Sequence, residues 1–264
     1  MSEPTHQTGH GTDDRHRRQH DASEELARSL LFPPRAAAAA RITGYAYTDR
    51  YDVIALTPWA PPVHRSPSSP TDAEIIERIR AELLLDGPDP LPALLTPGRN
   101  TILIPGAGRH ARCAEELLTE LADAADAALL ATVVYAESEQ VPAAAALSHE
   151  LLEVAVRLDY RPGMYRWADL ALPYHLTRPG PAFDRLGALL EPLAPHAHLL
   201  DTLMHHLDTG FQPRRTARRL GLHINTVRHR LERTHQLIGL DPMRPDDSWL
   251  LRSALIAHRY RNGG

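Results

Sequence analysis

The stretch PRRTARRLGLHINTVRHRL, residues 213–231, constrains the fold more than any other part of the chain. Two short helices that cross steeply through a tight turn impose steric limits at fixed offsets. A small residue is needed where the helices touch, and Ala217 stands there. Four positions on, the turn needs a residue that tolerates left-handed dihedrals, and Gly221 stands there. Six positions further, a branched apolar plug is needed, and Val227 provides it. Leu220 and Leu222 supply the remaining buried contacts. The usual apolar position three beyond Val227 holds Arg230, so Leu231 takes the core role and the second helix is rotated slightly. The spacing predicts a helix-turn-helix.

Charge decides what such a hairpin meets. The chain of 264 residues carries a net charge of −4, which excludes a generic polyanion binder. Between Leu199 and Ile238, however, seven arginines (214, 215, 218, 219, 228, 230 and 233) face three acids (Asp201, Asp208 and Glu232), a local net of +4. Such a patch supplies the salt-dependent affinity for phosphates on which any sequence reading rests. His223, Asn225, Thr226, Arg228 and His229 open the second helix with short or forked hydrogen-bonding groups. Asn matches adenine and Arg matches guanine in the major groove, so these five are the candidate base contacts. Arg214, Arg215, Arg218, Arg230 and Arg233 are the candidate phosphate contacts that set register. One such motif covers a half-site, so double-stranded DNA and a second copy of the chain are the expected partners. The alternative reading of the motif is structural: Asn225 caps the helix and the arginines solvate an exposed face.

Elsewhere the pattern is mixed. Residues 1–22 are polar without apolar periodicity and are expected to be a disordered tail, with His6, His10, His16 and His20 solvated. Arg50 to Thr57 reads as a buried strand and residues 60–69 as a Pro/Ser-rich loop. Thr71 and Glu74 form a capping box for a helix with Ile75, Ile79 and Leu83 on one face, and with Arg78 pairing Glu74 and Glu82 at i,i+4. Pro97-Gly98-Arg99-Asn100 is turn chemistry between two short strands. A helix (Ala111 to about Asp123), a strand (Leu129 to Tyr135) and a helix with Leu147, Leu151, Val154 and Leu158 at helical spacing follow. The fold class is therefore α+β: an α/β sandwich of mostly antiparallel character over 23–178, a connecting helix over 179–198 and an all-α domain over 199–264.

From Leu199 onward the chain resembles the C-terminal DNA-binding domain of PucR/CdaR-type transcriptional regulators. The residues that carry the likeness are the His-x-Asn-Thr-x-Arg run from His223 to Arg228, Ile238-Gly239-Leu240-Asp241, and the acidic start of the last helix, Asp246 and Asp247. Upstream, the run from Arg161 to Leu170 (RPGMYRWADL) resembles the stretch leading out of that family's degenerate GGDEF-like domain. The resemblance implies that residues 23–178 are such a domain, serving dimerisation or signal input, with a small-molecule effector left unspecified.

Catalysis is not expected. A diguanylate cyclase needs carboxylates after its first strand and in the hairpin loop to hold Mg²⁺. Here those places read Thr57-Pro58-Trp59-Ala60 and Pro97-Gly98-Arg99-Asn100. Asp86 and Asp89 read as turn residues, Gly106-Ala107-Gly108 as a strand-to-helix turn, and Cys113 as a buried packing thiol. His149 with Glu150, and His196 with His198, lack a third metal ligand, so no metal and no cofactor is expected. A single cysteine argues against a disulfide framework, the N-terminus has no apolar leader, and the longest apolar run, Ala127 to Ala136, is too short to span a bilayer. These features predict a cytoplasmic protein, nucleoid-associated when bound to DNA. The competing functions are a nucleotide-binding receptor or a protein-interaction module whose main activity lies in the α/β domain.

Overall fold

The computed structural model describes residues 10–32, 48–59, 70–85, 91–106 and 113–263, with side chains described from residue 21 onward apart from residue 85. The expectations for residues 1–9, for the loop at 60–69, for Asp86 and Asp89, and for Ala107-Gly108 lie outside the described residues. The chain divides into two compact units, residues 1–156 with 160–170 and residues 157–159 with 171–264. The boundary expected at 178 therefore lies inside the second unit, and the division runs through the helix Trp167–Leu176.

In the first unit, helix α1 (His10–Leu31) precedes strand β1 (Arg50–Pro58), helix α2 (Asp72–Leu85), strands β2 (Ala93–Thr96) and β3 (Arg99–Pro105), helix α3 (Ala114–Ala125), strand β4 (Leu129–Glu137), helix α4 (Val141–Arg157) and strand β5 (Gly163–Arg166). The sheet order is β2-β3-β1-β4-β5. All neighbours are antiparallel except β4 and β5, which run parallel. Alternating side chains separate two cores. Ile54, Leu56, Ile102 and Ile104 pack with Ile75, Ile79 and Leu83 of α2 and Leu117 and Leu121 of α3. Tyr51, Val53 and Leu103 pack with Leu26 and Leu30 of α1 and Val141 and Ala144 of α4. Covering both faces explains why Val53 to Leu56 is an unbroken buried run and not an alternating one.

Local sequence chemistry accounts for the element ends. The Thr71 and Glu74 box is in place: the Thr71 amide donates to Glu74 Oε2 at 2.7 Å and the Glu74 amide to Thr71 Oγ1 at 3.3 Å. In the β2–β3 hairpin Pro97 sets one dihedral and Gly98 takes φ 80°. The turn is tighter than the sequence suggested, because Arg99 already pairs with Thr96 and Asn100 with Leu95 in the ladder.

Four expectations are corrected. Residues 10–22 are helical, not a disordered tail. The apolar i,i+4 spacing of Leu26 and Leu30 anchors α1, and each residue added in front of an existing turn contributes a hydrogen bond without a new nucleation cost. Arg78 makes no ion pair with Glu74 or Glu82 among the described residues, although, after the hydrogen bonds from Thr71, its charge helps to lower the Glu74 carboxyl; its guanidinium donates to the Ala125 carbonyl at the end of α3, at 3.0 Å. Cys113 is exposed, not a packing thiol. It precedes α3, and its Sγ donates to Glu115 Oε2 at 2.7 Å while Arg166 donates to Glu115 Oε1 at 2.5 Å. Those two bonds hold the Glu115 carboxyl down to about 2. The fourth concerns β5, which the sequence did not mark as a strand.

The second unit is helical: α5 (Trp167–Leu176), α6 (Pro181–Ala188), α7 (Ala197–Asp208), α8 (Pro213–Leu220), α9 (Ile224–Ile238) and α10 (Pro245–Asn262), with a short 3-10 turn at Glu191–Leu193. The expected connecting helix thus stops at Ala188, before the 3-10 turn that holds Pro192. Leu190, Leu193, Leu199, Leu203, Leu207, Leu251 and Leu255 form its core, and no helix among the described residues is long and apolar enough to cross a membrane.

Candidate nucleic-acid interface

Helix α8 opens with Pro213 at its first helical position, where a missing amide hydrogen costs nothing. It stops at Gly221, whose φ of 64° is a left-handed conformation that a Cβ would strain. The Leu222 amide then turns back to the Ala217 carbonyl at 2.9 Å, satisfying a helix end that would otherwise be orphaned. Three residues later α9 begins. His223 is its N-cap, and its Nδ1 accepts the Asn225 amide at 3.3 Å. The cap is the histidine, so Asn225 is not needed for it.

The two helices close on Ala217, Val227 and Leu231, the last two with no exposed surface, while Leu222 and Ile224 pack partly against them. Leu220 is half-buried. Val227, Leu231 and Thr234 are the buried stripe of α9, which rotates Asn225, Thr226, Arg228, His229 and Arg233 to the exposed side together with His223 at the cap. On α8, Thr216 and Ala217 face inward, leaving Arg214, Arg215, Arg218 and Arg219 exposed.

Among the described residues, none of Arg214, Arg215, Arg218, Arg219 or Arg228 has an ion pair or a side-chain hydrogen bond. Like charges at i,i+4 on a helix destabilise it by about 0.2–0.5 kcal/mol per pair. Arg214 with Arg218, and Arg215 with Arg219, make two such pairs. Arg219 was absent from the sequence-derived phosphate set, although its spacing from Arg215 is a signal that places it on the same face. Arg233 donates to Gln236 Oε1 at 3.0 Å and stays exposed. Arg230 differs: it is half-buried, and its Nη1 donates to Thr202 Oγ1 of α7 at 3.1 Å.

A buried polar network fixes α8 from behind. His206 of α7 is fully buried. Its Nε2 lies 3.2 Å from the Pro242 carbonyl, which can only accept, so Nε2 carries the proton. Its Nδ1 is then free to accept from the Thr216 hydroxyl at 3.2 Å, and Thr216 in turn lies 2.8 Å from Thr209 Oγ1. Burial holds the His206 imidazole below its ordinary protonation range, partly opposed by the bond to Pro242. Neither His206 nor Thr202 was a sequence candidate. A histidine among apolar residues of a helix gives no sign of its partners until the helices are packed.

Among the described residues no set of three or more His, Cys, Asp or Glu side chains is placed to hold a metal ion. His149 of the first unit is tied to Thr101 Oγ1 at 2.8 Å, and in the second unit His196 meets His198 ring edge to ring face.

Residues 199–257 match the family model described as the PucR C-terminal helix-turn-helix domain. Uncharacterized proteins of Mycobacterium tuberculosis and Mycobacterium bovis are 42% identical over 67 residues, 25% of this chain and 16% of the length of those relatives. A solved structure, the regulator of polyketide synthase expression from Bifidobacterium adolescentis, aligns at 24% identity over 91% of this chain and 93% of its own, with a TM-score of 0.40. The helix-turn-helix segment of the chain is thus of the PucR type.

Proposed function

We propose that the chain is a one-component, sequence-specific transcriptional regulator of the PucR/CdaR type that binds double-stranded DNA. Helix α9 enters the major groove, with His223, Asn225, Thr226, Arg228 and His229 at base edges. Helix α8 crosses the backbone, with Arg214, Arg215, Arg218 and Arg219 on phosphates. Because one motif reads one half-site, the working form is a homodimer on a pseudo-palindrome, and the α/β unit serves dimerisation or signal input without catalysing a reaction.

The observation that carries this reading is the set of unpaired arginines on α8 beside the exposed polar face of α9. Four guanidiniums that repel one another, with no counter-charge among the described residues, fit a polyanion. A mobility-shift assay on the full chain, with fragments of its own genome and heparin as competitor, tests the proposal. Discrete fragments retained in heparin, with affinity falling steeply as salt rises, are expected. Uniform release of every fragment by heparin would overturn it.

A further inference from the structure

We infer that His223 does two jobs at once: it caps α9 through Nδ1 and reads a guanine in the major groove through Nε2–H. The inference rests on the DNA-binding reading above and deepens it. His223 has the extended φ and ψ of an N-cap, −71° and 144°, and its Nδ1 accepts the Asn225 amide at 3.3 Å. An accepting Nδ1 places the proton of a neutral imidazole on Nε2. The two ring nitrogens diverge, so an imidazole held by its Nδ1 directs a single N–H away from the helix end, and the His223 side is exposed.

Helix N-caps are ordinarily Ser, Thr, Asp or Asn. A carboxylate there would meet a phosphate backbone with the wrong sign, and a hydroxyl is too short to cap and reach outward together. Imidazole does both, and it does so as a donor only. Guanine is the base whose major-groove edge offers two acceptors, O6 and N7, with no donor beside them; thymine offers one acceptor, O4, beside its methyl group, and adenine and cytosine present amino groups there. A donor-only reader therefore prefers guanine, the base with two acceptors and no donor on that edge.

The test compares the full-length protein with His223→Ser and His223→Ala in binding selections from a random duplex pool. Serine preserves the cap and withdraws the ring, whereas alanine removes both. Circular dichroism is expected to show wild-type helicity for the serine variant. That variant should lose a guanine preference at one position of each half-site and bind the wild-type-selected duplex about fivefold more weakly, one hydrogen bond's worth. Replacing that guanine by 7-deazaguanine should weaken the wild type and leave the serine variant unchanged. If the serine variant keeps the wild-type preference, or weakens on all sequences equally, His223 is a cap or a phosphate contact and the inference falls. If the wild type enriches no sequence at all, the DNA-reading proposal fails as well, a result distinct from the other two.

Discussion

Arg230 on α9 donates to the Thr202 hydroxyl on α7 at 3.1 Å, and that same hydroxyl donates to the His198 carbonyl at 2.7 Å. An arginine that the sequence assigns to phosphate is thereby engaged within the protein. The bond crosses between α7 and α9, so it braces the angle at which the exposed face of α9 is presented. It also divides the arginines of this unit into two kinds, internally held and free, and the two kinds should behave differently in solution.

Arg215→Ala should weaken binding to all duplexes alike and lower the slope of log affinity against log salt by about 0.9, the loss of one phosphate contact. Arg230→Ala should leave that slope unchanged and lower unfolding stability by about 1 kcal/mol instead. Titrations at several salt concentrations, paired with urea unfolding, separate the two. Equal slope losses would show that Arg230 leaves Thr202 when DNA is present.

Arg228 has no partner among the described residues and lies on the exposed face of α9. Arg228→Ala should cost about 1–3 kcal/mol on the preferred duplex and relax base choice at one position, with little change on unrelated DNA. Competition binding against a panel of single-base operator variants measures this. A uniform loss across the panel would move Arg228 to the phosphate class.

Leu231 has no exposed surface and closes the small core with Val227 and Ala217. Truncation to alanine should cost about 2–5 kcal/mol, because the cavity left between two short helices collapses only in part. Urea unfolding followed by circular dichroism, with DNA affinity measured in parallel, is the check. Full affinity with unchanged unfolding would mean that this core does not hold α9 in place.

Acid should destabilise both units. Burial first, and Arg99 second, push His149 down to about 4; burial pushes His206 down as well. In the unfolded chain histidine titrates near pH ~6.5, so below that value the unfolded state binds more protons than the folded one. The stability that His149 contributes is present above pH ~6.5 and is lost as pH falls toward about 4, and that of His206 is lost in the same direction. Urea midpoints measured across that window should fall with pH, and His149→Gln should flatten the fall even if it lowers stability throughout. An unchanged pH slope in that variant would remove His149 from the account.

Local chemistry made much of the protein legible. The Thr71 and Glu74 box, the Pro97-Gly98 turn and the spacing of Ala217, Gly221 and Val227 each act within a few residues, so the residue types alone declare them. The charge reversal around α8 is equally local. Packing decided the rest. Strand β5 is four residues with no alternation, and it exists because β4 offers it a parallel edge. Helix α1 reaches back to His10 because Leu26 and Leu30 find the sheet face beside α4. Whether Arg230 is free and how Glu115 beside Cys113 is held depend on groups far apart in the chain. The sequence states which hydrogen-bonding groups a segment owns; only the assembled tertiary structure settles which are consumed inside and which remain for a partner.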